Sequence, residues 1–397
     1  MKHSRRVLFG LAVIVAAFAF ATRTRGSLSG TLADLKIAAG DVHYTKLVPD
    51  GEQVTGGLYD PSVAYTADGH EGWLAYSSVE GHQKPVGAYV STHLARSTNG
   101  GASWQFVKVV NASIDDTLTL PDGKSLPGLW RYEVPTLVLD ETDPDASRRW
   151  KLFAHRYFWA PKQDRMVAYG WIALRTAADP AAEWSATVPL FGAGQSPVAP
   201  YDKTLVNLNA LDASLRNAAA YSEPGALAHD GRLYLSMTAL KPHLSLSGIG
   251  VDHVIFLLAS DDHGKSWRFT RTLLTHDDAQ ALGCDYFDGS SLAEEAGRFF
   301  LLAAPVVRGK DEVHYGTAAF EFESLTDGRL KRDDKLRPTV AAYFAPQPSL
   351  FSGPGAGQAT YDSHNTNGGL LMPQFNVKAF PEVFQLYQTG RRLPGKK

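Results

Sequence analysis

Acidic side chains recur along this chain at the head of short apolar segments, a placement that can gather several carboxylates in one site. The segments are Asp60-Pro61-Ser62-Val63, Glu133-Val134-Pro135-Thr136, Glu223-Pro224-Gly225-Ala226 and Asp288-Gly289-Ser290-Ser291, with Asp362-Ser363-His364 as the fifth. A tyrosine lies within three residues of each acid, at Tyr59, Tyr132, Tyr221, Tyr286 and Tyr361. Carboxylates held together repel one another and raise at least one pKa, which supplies a general acid near neutral pH. Glycosidic cleavage needs such a set. One carboxylic acid protonates the leaving oxygen, a second carboxylate activates water or attacks the sugar, and further acids stabilise the positive transition state. A single Asp or Glu before Pro is an ordinary turn opener, so the reading rests on their joint recurrence.

The acids converge only if repeated elements carry them around one axis. Helical periodicity is almost absent, and short β-rich runs alternate with Gly, Pro, Asp and Asn clusters, which predicts an all-β chain. An apolar-aromatic-apolar run recurs five times, at 73–77, 152–157, 233–237, 299–303 and 370–373. Each is followed by a further strand, at 94–104, 172–184, 256–267, 319–325 and 384–387. These are expected to be the second and third strands of five β-propeller blades, with the acids at the start of the innermost strands that line the central channel. Residues 42–48 are expected to pair with the last blade and close the ring, which removes an exposed edge.

Two turns are chemically specific. Ser97-Thr98-Asn99-Gly100-Gly101-Ala102-Ser103-Trp104 and Ser260-Asp261-Asp262-His263-Gly264-Lys265-Ser266-Trp267 share the pattern Ser-x-(Asp/Asn)-x-Gly-x-(Ser/Thr)-Trp, known as the Asp box. The Asp or Asn hydrogen-bonds its own turn, Gly accepts positive φ and Trp staples neighbouring sheets. These residues mark a fold and do no chemistry.

With the Asp boxes, the five repeats and the aligned acids, residues 40 to 390 resemble the five-bladed β-propeller glycoside hydrolases of the arabinanase, β-xylosidase and levansucrase type. Asp boxes themselves are typical of sialidases, whose six-bladed propeller is the alternative fold. The resemblance implies a base at Asp60 on the first blade, a pKa-tuning and orienting acid at Glu133 on the second, and the general acid at Glu223 on the third. Glu133 departs from the Asp usual at its place. The resemblance also implies sugar contacts at His155 and Arg156, with Asp288 as an extra subsite acid. Tyr59, Tyr132, Tyr221 and Trp130 are candidate stacking platforms. His364 stands where some relatives supply a histidine to an axial calcium or its waters. One histidine is no metal motif and calcium prefers oxygen ligands, so the expectation is a pocket histidine and no cofactor, with a structural calcium near His364 as the alternative.

The amino terminus and composition bound the setting. Lys2, Arg5 and Arg6 precede about 15 apolar residues that end Ala19-Phe20-Ala21, the layout of a cleavable secretory signal over residues 1–21. An uncleaved anchor is the alternative; cleavage leaves no stable membrane insertion and a secreted or periplasmic chain. Residues 22–40 read as a linker, 41–390 as one catalytic domain and 391–397 as a tail. Without the three leading cations, 39 Lys and Arg fall to 36 against 41 Asp and Glu, which gives no basic footprint for nucleic acid. Cys284 is the single cysteine, which excludes an internal disulfide and a cysteine-based zinc site. The resemblance implies a carbohydrate partner, cleaved in the manner of arabinan, xylan or fructan. Two alternatives stand beside this. A sialidase would gather Arg131, Arg156, Arg175 and Arg308 on a substrate carboxylate, and a non-catalytic carbohydrate-binding propeller would have no need of aligned acids.

Overall fold

The computed structural model describes residues 30–34, 44–80, 88–120, 122–160, 164–193, 204–245, 248–308, 313–344, 357–365, 368–375 and 379–395. The expected signal segment and residues 42–43 lie outside these. Among the described residues the strands pair into four hydrogen-bonded sheets, one of which joins two antiparallel groups through a parallel bridge of Gly57 to Phe384, so that five such units follow along the chain. The first contains Gly57–Tyr65, Gly72–Glu80, Tyr89–Ser97 and Gln105–Asn111. In the second, the latter half of Ser125–Leu139 is followed by Trp150–Ala160, Asp164–Ala177 and Val188–Gly192. Ala220–His229, Arg232–Ser245, Gly248–Ser260 and Arg268–Leu274 make the third. The fourth consists of Tyr286–Glu295, Arg298–Val307, Thr317–Ser324 and Val340–Phe344.

The fifth unit is completed from the other end of the chain. Thr360–Asp362, Gly369–Phe375 and Phe384–Gln388 are joined by Thr45–Lys46, with Thr45 opposite Gln388 and Lys46 opposite Tyr387. This is the closure expected of residues 42–48. The five innermost strands pack neighbour against neighbour in a closed cycle, so the fold is a β-propeller and every sheet edge near the axis is covered.

Each junction between units has its own apolar core. Trp73, Leu137, Trp150 and Trp184 fill the first, Phe153, Leu235, Phe256 and Trp267 the second, and Leu257, Phe287, Leu301 and Phe320 the third. Phe300, Tyr361 and Leu370 fill the fourth, and Leu58, Leu74, Trp104 and Leu371 the fifth. Full burial of one such side chain contributes about 1.5–3 kcal/mol, which is how a chain with no disulfide holds its ring. Two segments expected to lie outside the domain belong to it. Gly30–Asp34 is a short helix whose Leu32 enters the core between units three and four, and beyond residue 390 Leu393 enters the core between units four and five.

The two specific turns form matching networks. Ser97 Oγ donates to Asn99 Oδ1 (2.8 Å) and accepts from Gly101 N (2.8 Å), while Ser103 N donates to Asn99 Oδ1 (3.0 Å). Ser260, Gly264, Ser266 and Asp262 repeat these contacts at 2.8 Å each. Trp104 and Trp267 then enter inter-unit cores. Asp262→Asn is expected to change stability by less than about 0.5 kcal/mol, because Asn99 already satisfies the same donors. Asp262→Ala is expected to cost about 1–2 kcal/mol by removing them, and urea unfolding of the two variants checks the contrast.

Candidate active site

The inner strands share a local irregularity that decides where the acids point. Register shifts between Tyr59 and Ser62, Glu133 and Thr136, Ser222 and Gly225, and Asp288 and Ser291 set two inner-strand residues against one on the second strand. Each is a β-bulge, which bends the strand and re-aims its side chains. Its first residue has positive φ: 48° at Asp60, 52° at Val134, 57° at Glu223 and 59° at Gly289. In the fifth unit the matching place is Gly357, at φ 80°, which lies against the Asp60 carboxylate, while Gly289 lies against Gln358.

This register sorts the sequence candidates. Asp60 and Glu223 occupy the bulge position itself. Glu133 and Asp288 stand one residue before it, so the acids are not all equivalent, and the second unit has Val134 where the first has Asp60. No contact in the structure explains a valine there. The fifth acid, Asp362, lies five residues beyond Gly357 at the opposite end of the channel. It accepts hydrogen bonds from Tyr65 Oη (2.8 Å) and from the backbone of His364 and Asn365 (3.0 Å each). His364 stacks on Tyr65 at 4.2 Å between ring centres. Tyr65 follows Asp60 by five strand residues, roughly 16 Å, so His364 does not line the carboxylate pocket.

Asp60, Glu133 and Tyr59 form one connected group, all buried. Asp60 Oδ1 accepts from Gln358 N (2.8 Å) and Oδ2 from Ser77 Oγ (3.3 Å), and Ser77 Oγ accepts from Val134 N (3.1 Å). Tyr59 Oη donates to Glu133 Oε1. Burial first, then the charges of Glu133 and Asp60, push the Tyr59 phenol well above its ordinary range, so it remains a donor. Tyr59 also stacks on Phe384 at 4.8 Å; it orients a carboxylate instead of offering a free platform to a sugar. Glu223 is joined to the group through its chain neighbour. Pro224 O accepts from Gln358 Nε2 (3.1 Å) and from Thr136 Oγ1 (2.5 Å). One glutamine thus spans the gap, which limits Asp60 Oδ1 to Pro224 O to roughly 12 Å from bond geometry.

The remaining candidates divide. His155 is fully buried, directly opposite Glu133 in the strand pairing, with its ring 5.0 Å from that of Tyr157. Arg156 points into an aromatic cage, 4.4 Å from the Trp130 ring centre, 4.8 Å from Trp171 and 5.3 Å from Tyr132. Tyr132 and Trp130 are part of that cage. Tyr221 donates to Asn209 Oδ1 (3.0 Å) and packs in the core between units two and three, away from the channel. Asp288 is ion-paired with His253 at 3.5 Å, and His253 covers Tyr286 at 3.9 Å. Burial would raise the Asp288 carboxyl, yet His253, His314 and the Gly289 N–H outweigh it and hold it below its ordinary range. It is therefore an ionised acceptor and no proton donor near neutral pH.

Two walls rise beyond the acids on this face. Ile114–Thr119 pairs with residues 125–130 as a hairpin continuing the second inner strand, and Arg232–Ser245 with Gly248–Ser260 prolongs the third unit. Sequence reading missed these walls, as it missed Ser77, His253 and Gln358. The signal for Gln358 was the Gly357-Gln358 pair at blade spacing from Gly289-Ser290, hidden because neither residue is acidic. A Cβ on Gly357 would overlap Asp60 Oδ1. Gly357→Ala is accordingly expected to lower activity at least tenfold with a smaller effect on melting, a displacement of about 1 Å being enough; steady-state kinetics on the folded variant checks it.

No family model matches the chain, and no curated protein matches its sequence. Solved structures do share its shape. A protein titled glycoside hydrolase superposes with a TM-score of 0.51 at 11% identity, over 90% of this chain and 93% of the other. The catalytic domain of the Coprinopsis cinerea GH62 α-L-arabinofuranosidase gives 0.47 at 12%, over 88% and 97%. A family 117 glycoside hydrolase from Zobellia galactanivorans gives 0.48 at 13%, over 88% and 90%. At such identities the likeness is one of fold.

Proposed function

We propose that the protein is an exported glycoside hydrolase, with Asp60 as the base or nucleophile, Glu223 as the general acid and Glu133 as the orienting acid. The observation that carries this reading is the strained bulge. A side chain at positive φ costs about 1–2 kcal/mol, and the fourth and fifth units avoid that cost with Gly289 and Gly357. The first and third keep carboxylates at the same place, φ 48° and 57°. Val134 keeps the same positive φ, 52°, in the second unit, so the strain belongs to the bulge, and it is the placing of carboxylates on that bulge in two units that marks the site.

The surroundings suit the roles. Asp60 accepts one backbone and one hydroxyl hydrogen bond, which stabilise its charge. A carboxylate so held takes a proton from water or attacks the sugar, while Glu223 gives its proton to the leaving oxygen. Tyr59 holds Glu133 beside them through its hydroxyl. The neighbour at a TM-score of 0.51 is titled glycoside hydrolase, which supports the reading by analogy of fold alone. The sialidase alternative finds less support. Arg131 lies over Trp159, Arg175 binds Thr187 Oγ1, Arg308 Nη2 donates to Val251 O and Arg156 is caged, so the four arginines serve separate elements.

The test is a screen of purified protein against arabinan, xylan, fructan and sialyl substrates, with Glu223→Gln in parallel. Hydrolysis of one of the first three, abolished in the variant, supports the proposal. Release of sialic acid alone moves the protein to the alternative class, and ligand retention without turnover makes it a binding propeller.

A further inference from the structure

Gln358 stands one residue after the bulge position of the fifth unit. Its counterparts are Pro61, Pro135, Pro224 and Ser290. Proline has neither an N–H nor a polar side chain, and Ser290 Oγ reaches only Glu223 O (3.2 Å) and Ser236 Oγ (3.0 Å). Gln358 does what none of these can. Its backbone N–H holds Asp60 of the first unit at 2.8 Å, and its amide Nε2 reaches Thr136 Oγ1 of the second at 3.4 Å and Pro224 O of the third at 3.1 Å. The side chain is almost wholly buried, so it cannot exchange these bonds for water at no cost.

We propose that Gln358 is the positioning residue of the site, fixing the separation between Asp60 and Glu223 by binding the carboxylate of one and the carbonyl of the residue that follows the other. This rests on the hydrolase reading of that pair. Glu223 and Pro224 form the bulge; the carbonyl of Pro224, one peptide beyond Glu223, is clamped by Gln358 Nε2 and Thr136 Oγ1 together, and the carbonyl of Glu223 itself accepts from Ser290 Oγ. Loss of the amide leaves Thr136 on the Pro224 carbonyl and Ser290 on that of Glu223, but removes the bond that ties the acid's bulge to the strand whose unaltered backbone N–H holds the base. Gln358 touches no substrate in this scheme; it acts through its two neighbours.

Three variants test the inference, each assayed on the substrate found by the screen. Gln358→Leu keeps volume and the N–H to Asp60 but removes the amide. Its expected result is a kcat lowered roughly 10- to 100-fold, as for a misplacement of about 1 Å, with KM within threefold and melting little changed. Gln358→Glu keeps shape and adds charge near Asp60, Glu133 and Glu223, so the acid limb of the pH–rate profile is expected to move up by about one pH unit. Gln358→Asn keeps the amide but is too short to reach Pro224 O and is not expected to restore kcat. Wild-type kcat and an unshifted pH profile in the Leu and Glu variants, with Asp60→Asn and Glu223→Gln inactive, would overturn the positioning role while leaving the catalytic pair intact. Activity retained in Asp60→Asn and Glu223→Gln would remove the pair and the positioning role together.

Discussion

Glu223→Gln is expected to lower kcat/KM on a natural glycoside by roughly 10²- to 10⁴-fold, the range for loss of a general acid, and to leave the melting temperature within a few degrees. The amide is isosteric and retains the φ of 57° that the bulge imposes, so geometry survives and only the transferable proton is lost. A second measurement separates this cause from general damage. An aryl glycoside whose leaving group departs without protonation should recover most of the lost rate in Glu223→Gln, since the missing acid is not needed for it. Asp60→Asn should lose both substrates equally, because activation of water or attack on the sugar precedes the nature of the leaving group. Equal losses on both substrates in Glu223→Gln would take the acid role away from that residue.

Much of this fold could be read from the chain because its signals are local. Each Asp box closes within eight residues, so its side-chain bonds and its tryptophan needed no knowledge of distant neighbours. The alternation of apolar residues located all five second strands, and the spare strand at 42–48 followed from the need to cover an edge. The site was legible in composition and less so in register. Asp-Pro and Glu-Pro identify bulges in the first and third units, whereas Glu133-Val134-Pro135 puts the acid one place earlier, and a shift of one residue along a strand changes the direction of a side chain. The tyrosines show the same limit. They lie near the acids in sequence, yet Tyr59 donates to Glu133, Tyr132 walls an arginine cage, Tyr221 fills an inter-unit core and Tyr361 binds Glu295 Oε2 at 2.7 Å at the other end of the ring. Proximity along the chain carries no information about face. Gln358 was invisible for a different reason: its role depends on four strands brought together by closure of the ring.

The ring's own integrity depends on a charge that sequence reading did not single out, and Lys151→Met is expected to lower stability by about 3–5 kcal/mol, the cost of leaving buried carboxylates without their cation. Lys151 Nζ is fully buried and binds Asp140 Oδ2 (3.2 Å), Asp143 Oδ2 (2.9 Å) and Arg148 O (2.7 Å). His263, from the Asp-box turn of the third unit, reaches Asp140 Oδ2 at 3.0 Å, so the cluster fastens unit two to unit three. Asp140, Asp143 and His263 offer donor atoms within 4.8 Å of one another, a grouping able to hold a metal ion, but here the ammonium of Lys151 occupies the cation's place. Burial would raise both carboxyls; Thr142, Lys151 and His263 around Asp140, and Lys151 with the Asp145 N–H around Asp143, outweigh it and hold both below their ordinary range. A carboxyl depressed in the folded state contributes stability above its unfolded pKa and loses it as pH falls through the folded value. The wild type should therefore weaken below about pH 4, while Lys151→Met gains from protonation of the same two acids. The stability gap between them should be widest near pH 7 and narrow steadily toward pH 3. Urea unfolding of both proteins across that range measures it, and a gap independent of pH would mean that Lys151 acts through packing alone.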